Sequence, residues 1–290
     1  MAAALTALLV LAPAARAQDR RAGGKLLLTA GVTTAEGAAG GGIAAWSLIA
    51  GNETKDGIGG SAHATLVALP DFDLEAYGAA IGVFDRVELS YTHQSFDTRA
   101  AGAALGLGKG YTFGQHIFGA KVKLIGDAVW AQDSWLPQIS VGVQHKRADG
   151  GRIGKPLLAA LGARKSTGTD LYVAATKLLL ARSMVVGGTI RFTNANQFGL
   201  LGFGGDRQAK RTAQFEGSAA RLLTRRLVVG AEYRTKPDNL GFAEEGDAYD
   251  LFAAWAVTRN VTLTAAYADL GDIATVKSQR GAFLQLQGAF

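Results

Sequence analysis

Apolar and polar residues alternate along most of this chain with a period of two. In "RLVVGAEYRTK", Leu227, Val229, Ala231 and Tyr233 share one side while Gly230, Glu232, Arg234 and Lys236 share the other. "SMVVGGTIRFT" sets Met184, Val186, Ile190 and Phe192 against Thr189, Arg191 and Thr193, and "LPQISVGVQ" sets Ile139, Val141 and Val143 against Gln138, Ser140 and Gln144. Successive side chains of a strand point to opposite faces, so each stretch predicts a strand with one apolar and one polar face. Stepping back in twos from Phe290 gives Gly288, Leu286, Leu284 and Ala282, with Gln287 and Gln285 between them.

Fourteen such segments are expected, at residues 25–33, 41–50, 57–67, 73–83, 86–96, 115–126, 136–147, 169–178, 183–193, 212–222, 226–236, 247–257, 260–270 and 280–290. The pattern is weakest in the first two and the eighth, and twelve strands is the alternative count. Roughly nine to eleven residues is the length with which a tilted strand crosses a bilayer. After the first seventeen residues, no run of the roughly 18 apolar residues that a spanning helix requires occurs.

The connections alternate in length. Tight turns are expected at Phe84-Asp85, Ala181-Arg182, Thr224-Arg225 and Thr258-Arg259, each after an even-numbered segment. Longer Gly- and charge-rich stretches at 97–114, 148–168, 194–211, 237–246 and 271–279 follow odd ones. Outer-membrane barrels alternate short periplasmic turns with longer outer loops, which puts both termini in the periplasm. Two connections fit poorly: 127–135 is long for a turn and 68–72 is short for an outer loop. Pro70, Pro156 and Pro237 fall in connections and Pro137 at a strand start, where a missing N–H does least harm. Trp46, Tyr91, Tyr233, Tyr249, Trp255, Tyr267 and Phe290 lie on apolar faces, as the aromatic girdles of a barrel require. A soluble sandwich would show the same alternation, but with the polar face inward it would desolvate charges at several kcal/mol each. The expected fold is therefore all-β, a transmembrane antiparallel up-and-down barrel. Barrel proteins resemble one another in a last strand of alternating apolar residues with a terminal aromatic. "FLQLQGAF" is similar to that signal, which makes the barrel-assembly machinery an expected partner through Phe290.

Composition adds little beyond compartment. The 290 residues hold 39 glycines and no cysteine, so disulfides and thiolate metal sites are excluded. Residues 1–17 read as a cleaved secretory signal peptide: an apolar run, then Ala15-Arg16-Ala17, with the barrel domain at 18–290. Since no Lys or Arg precedes the apolar run, a start codon further upstream is expected. The net charge of +6 is modest and favours anionic solutes or lipid phosphates.

Six longer stretches carry a family resemblance: "GGKLLLTAGVTTAEGAAGGG", "FDRVELSY", "AALGLGKGYTF", "QDSWLPQISVGVQ", "ANQFGLLGFGGD" and "AEYRTKPDNLGFAEEGDAYD". Together they resemble a proteobacterial family known as domain of unknown function 3034. The resemblance implies a secreted, β-rich protein of the Gram-negative outer membrane and no catalytic residue.

The inward faces are expected to carry Glu88, Lys121, Lys123, Arg191, Glu216, Glu232, Arg234 and Lys236, beside uncharged Thr65, Ser90, Thr92, Thr189, Gln285 and Gln287. A mixed-sign polar interior suits an aqueous pore, so the first expectation is a porin-like passive channel for small hydrophilic solutes, anions preferred. It equally suits a lumen filled by salt-bridged side chains.

Two alternatives stand beside the channel. His93 and Ser95 in "YTHQSFD" share a lipid-facing side, which resembles the His-x-Ser arrangement of outer-membrane phospholipase A, a lipid esterase. The stretch departs from that family because residues 97–126 contain no Asn to orient the histidine. The other alternative is a non-conducting barrel whose loops bind a partner or lipopolysaccharide through Arg164-Lys165 and Lys210-Arg211. Outer-membrane lipid, lipopolysaccharide and small solutes are the expected partners. No cofactor, metal or nucleic acid is expected. His63, His93, His116 and His145 lack a ligand spacing.

Overall fold

The computed structural model describes residues 24–131 and 134–290. The signal peptide expected at 1–17 lies outside them. Two short strands, β1 (Val32–Thr33) and β2 (Ala39–Gly40), pair with each other. Twelve long strands follow: β3 (Ile58–Ala68), β4 (Asp73–Val83), β5 (Val87–Asp97), β6 (Thr112–Ile125), β7 (Gln138–Ala148), β8 (Thr167–Leu179), β9 (Met184–Thr193), β10 (Thr212–Thr224), β11 (Leu227–Arg234), β12 (Ala248–Ala256), β13 (Val261–Asp269) and β14 (Arg280–Ala289). Each pairs antiparallel with its neighbour in sequence, and β14 closes the barrel on β3 through Ala282↔Ala68 to Ala289↔Ser61. No strand edge is left unpaired in the wall, the condition for crossing hydrocarbon with strands.

Twelve, the alternative count, is thus the number of wall strands. The expected strands at 25–33 and 41–50 do not join the wall. They belong to a segment that enters the barrel and fills it, and every residue from Glu36 to Gly51 is buried. The physical reason lies in "GGGIAAWSLIA", which has no polar alternate positions because wall surrounds it on every side. Trp46, expected in an aromatic girdle, is instead 4 % exposed inside the lumen.

Along the wall the two faces separate as the alternation requires. On β5, Glu88, Thr92 and Gln94 are buried inward while Leu89 and Tyr91 are exposed outward. Phe192, Phe215, Tyr233, Tyr249 and Tyr267 stand exposed on the outside toward the long-loop end, and Trp255 toward the short-turn end. The tight β4–β5 turn holds Phe84 and Asp85 at φ 55° and 45°, a left-handed pair that matches strand twist, and the Arg86 N–H closes it on Val83 O at 3.0 Å. The 126–137 connection is indeed long on the short-turn side, and Leu69–Phe72 indeed short on the other.

The long loops fold inward over their end of the barrel. They contribute α1 (Ala101–Ala104) and α2 (Lys155–Ala160) and close on an apolar core that includes Phe72, Phe96, Tyr111, Leu158, Leu200 and Leu240. The lumen is therefore roofed by loops as well as filled from within.

Candidate functional site

The lumen side chains meet the inserted segment, residues 25–52 (the plug), through hydrogen bonds to its main chain. Glu232 accepts the backbone N–H of Ile43 at 2.8 Å and of Ala44 at 3.1 Å, and the Trp46 indole Nε1–H at 3.0 Å. Glu216 accepts Ala45 N–H at 2.8 Å, and Glu88 accepts those of Ala39 and Ala50 at 3.3 and 2.8 Å. Lys121, paired with Glu88 at 3.1 Å, donates to the carbonyls of Ala39 and Trp46. Gln138 and Ser140 donate to Ser47 O, Thr189 to Ala45 O, and Gln285 to Thr33 O. A main chain buried without such partners would lose about 1–3 kcal/mol per group, which is what these luminal polar residues prevent.

Small residues make this contact possible. A Cβ on Gly41 would lie 2.1 Å from Glu232 Oε1, and one on Gly37 2.3 Å from Thr92 Oγ1, so neither position admits a side chain while Glu232 and Thr92 keep theirs. The bulky plug residue Trp46 sits lower, against Leu178, Val185, Val228 and Phe252 of the wall.

At the short-turn end Lys25 anchors the plug's entry. Its ammonium donates to Ile49 O at 2.7 Å and pairs with Glu53 at 3.0 Å and Asp85 at 2.9 Å. Lys123 pairs with Asp85 at this rim, so it lies at the mouth while Lys121 lies within. The Phe290 main-chain oxygen accepts the N–H groups of both Asn52 and Gly60, tying the plug's exit to the barrel seam.

Toward the long-loop end the plug presents its carboxylate, Glu36, to three buried cations. Oε1 accepts from Lys146, and Oε2 lies 2.7 Å from Arg234 and 4.0 Å from Arg191. Asp170 pairs with Lys146 at 2.8 Å and Arg191 at 3.6 Å, and Glu216 joins Arg191 to Arg234. Arg191 also donates to Gln144 Oε1 at 2.6 Å and lies over the Tyr172 ring at 4.9 Å. Phe198 roofs the cluster: its ring covers Arg234 at 4.5 Å and its carbonyl accepts from Lys146 at 3.1 Å. Gln197 and Phe198 hold φ of 42° and 59°, a left-handed strain of about 1–3 kcal/mol each for non-glycine residues, concentrated where the roof meets the site.

Of the eight charged residues expected inside, Glu88, Lys121, Arg191, Glu216, Glu232 and Arg234 come together around the plug. Lys236 does not belong to β11, which ends at Arg234. It lies in the roof, donating to Gln197 Oε1 at 3.0 Å and Leu270 O at 2.7 Å. Beside it, burial pushes the Glu245 carboxyl up to about 7, against the opposing pull of Lys236 and the Gln197 N–H. Burial likewise lowers the Lys236 ammonium, opposed by Glu245.

Sequence reasoning missed Glu36, Lys146, Asp170 and Asp250. Lys146 was accessible, since it continues the inward phase of Gln138, Ser140 and Gln144. Asp170 lay in the weakly patterned eighth segment, and no periodicity identifies Glu36.

On the outer face His93 packs between Tyr77, ring centroids 5.2 Å apart, and His116, 4.6 Å apart. Among the described residues His93 makes no hydrogen bond to Ser95.

Solved structures similar to this barrel include the KdgM porin, at 8 % identity and a TM-score of 0.51, covering 79 % of this chain and 99 % of that one. The NanC porin is similar at 8 % identity and 0.49, covering 79 % and 98 %. Outer membrane phospholipase A from Escherichia coli is similar at 9 % identity and 0.42, covering 79 % and 88 %. The first likeness bears on the fold alone, a closed antiparallel β-barrel, and the two lower scores carry no argument. No curated protein matches the sequence. The family model described as Protein of unknown function (DUF3034) matches residues 29–287, plug and wall alike, and the chain belongs to that family.

Proposed function

We propose that this protein is a porin-like channel of the outer membrane for small hydrophilic solutes, closed in this state by its own N-terminal segment and opened when that segment yields. The short-turn end and both termini face the periplasm, and the roofed end faces outward. Outer-membrane lipid, lipopolysaccharide at the outer loops and the assembly machinery at the last strand are the partners this placement implies.

One observation carries the reading. Above the apolar seat of Trp46 the plug–wall contact is polar on both sides, with Glu88, Lys121, Glu216 and Glu232 all bonded to plug main chain. Water can replace every one of those bonds when the plug moves, which it could not do for an apolar seam. A lumen that needed only filling is filled at lower cost by apolar side chains.

Planar-bilayer recording tests this. The wild type gives rare conductance steps. A Gly37→Cys/Thr92→Cys double variant locks the plug, since a Cβ on Gly37 lies 3.3 Å from Thr92 Cβ, close to disulfide spacing, and the chain has no other cysteine. Oxidation silences the steps and reduction restores them. Inserted protein that stays silent in the wild type, the reduced double variant and a plug-loosened Glu232→Ala variant alike would sink the proposal.

A further inference from the structure

We infer that Lys146, Arg191 and Arg234 form a recognition site for short-chain organic carboxylates, held in the closed state by the plug's own Glu36. The inference rests on the channel reading for the route by which a solute arrives, and names the solute class that lumen selects.

The first argument is charge. From the wall, three cations face only two carboxylates, Asp170 and Glu216, all within the salt-bridged cluster. Among the residues joined by ion pairs the wall is one negative charge short, and Glu36 supplies it, the neighbouring Glu232 being engaged by the N–H groups of Ile43, Ala44 and Trp46. When the plug yields, that charge leaves, while Lys146, Arg191 and Arg234, each at most 5 % exposed, stay in the wall. Buried cations left unmatched cost several kcal/mol, so the vacated position favours an anion.

The second argument is geometry. Glu36 divides its two oxygens between Lys146 on one side and Arg234 on the other, with Arg191 4.0 Å from the second oxygen. Two planar guanidiniums and an ammonium converging on a two-oxygen acceptor fit a carboxylate better than a spherical halide.

The third argument sets the body of the ligand. Next to Glu36 lies a cavity of about 40 Å³ lined by Ile43, Val67, Leu74, Leu200, Leu270 and Phe283 among others. Ala35, Gly42 and Ile43 leave with the plug, while Val67, Leu74, Leu200, Leu270 and Phe283 stay. A methyl-sized apolar tail fits beside the carboxylate, whereas hydroxyl groups there would lose their hydrogen bonds with water.

Chemical rescue tests the site in the full-length protein. Glu36→Ala removes a methylene and a carboxylate, the atoms of an acetate ion, and lowers Tm. Propionate then raises the Tm of the variant by about 3–5 °C per tenfold increase above half-saturation, and leaves the wild type, whose site is filled, unchanged. Glycerate, with the same carbon skeleton and two hydroxyls, and chloride at equal ionic strength give much less. The inference is overturned if no carboxylate rescues, if chloride or glycerate rescues as well as propionate, or if the wild type responds equally. Where Glu36→Ala is recovered only unfolded, its refolding yield into detergent is read instead: a yield raised by propionate alone supports the site, and one indifferent to propionate overturns it. Conductance is not read, so a failed rescue removes the carboxylate site and leaves the channel standing, while silent bilayers with intact rescue do the reverse.

Discussion

The Trp46 indole donates to the Glu232 carboxylate at 3.0 Å, and the same carboxylate takes the N–H groups of Ile43 and Ala44. One wall residue thereby holds three donors of the plug, each bond to a charged acceptor contributing about 1.5–3 kcal/mol. Glu232→Ala is expected to loosen the plug without opening the barrel, because β11 keeps its ladders to β10 and β12. The check is a chain in which Trp130, Trp135 and Trp255 are Phe, leaving Trp46 as reporter. Its emission shifts to the red and its quenching by acrylamide rises in the variant. Unchanged emission would mean that Glu232 is dispensable for holding the plug.

Asp250 faces Glu232 across the β11–β12 register and is 1 % exposed, yet neither of its carboxylate oxygens has a hydrogen-bond partner among the described residues. A buried carboxylate opposite another is a cost, not a support. Asp250→Asn is therefore expected to stabilise the folded barrel at pH 8, by about 1–3 kcal/mol, visible as a higher temperature for loss of the compact band on gels run without boiling. A lower transition temperature would show that the carboxylate is needed where it stands.

How far the sequence spoke can be judged from these same residues. The wall strands were legible because lipid and lumen sort alternate side chains: the expected 73–83 is β4, and 280–290 departs from β14 only at its last residue. Six of the eight charged candidates were legible for the same reason; Lys123 stands at the mouth beside Asp85 and Lys236 lies past the end of β11. The plug was not legible. A segment buried on every side has no period to read, and its short apolar run, bounded by glycines, looks like a strand. Nor could the cluster be assembled, since Glu36 meets Arg234 across 198 positions of sequence. Only closure of the wall around the segment brings them together.

The roof carries a pH dependence. Burial holds the Glu245 carboxyl at about 7, above the ordinary 4.5, so the folded loop binds a proton that the unfolded loop releases. A raised acid contributes stability fully present below pH 4.5 and lost as pH rises through 7. Lys236 responds in the opposite sense, its ammonium lowered by burial, so the clean measurement is the difference made by Glu245→Gln. Amide exchange at residues 196–201 is expected to speed up between pH 5 and 8, beyond the intrinsic rise, in the wild type and to lose that excess in the variant. Equal pH profiles for the two would exclude Glu245 as the titrating group.

Leu284 stands at mid-height on β14 between Ala265 and Leu66 of the neighbouring strands, 48 % exposed on the outer face. In water, a lysine at such a half-exposed position would change stability by less than about 0.5 kcal/mol. At the midplane of a bilayer it costs about 2–4 kcal/mol. Leu284→Lys is therefore expected to lower the folding free energy in phospholipid vesicles by that amount. The loss should shrink when the same substitution is made at Tyr267, nearer the long-loop end, because charge is tolerated progressively toward the interface. The depth dependence is what separates the two environments: a sandwich in water gives two small effects of similar size, and only a hydrocarbon slab around the barrel makes the central one large.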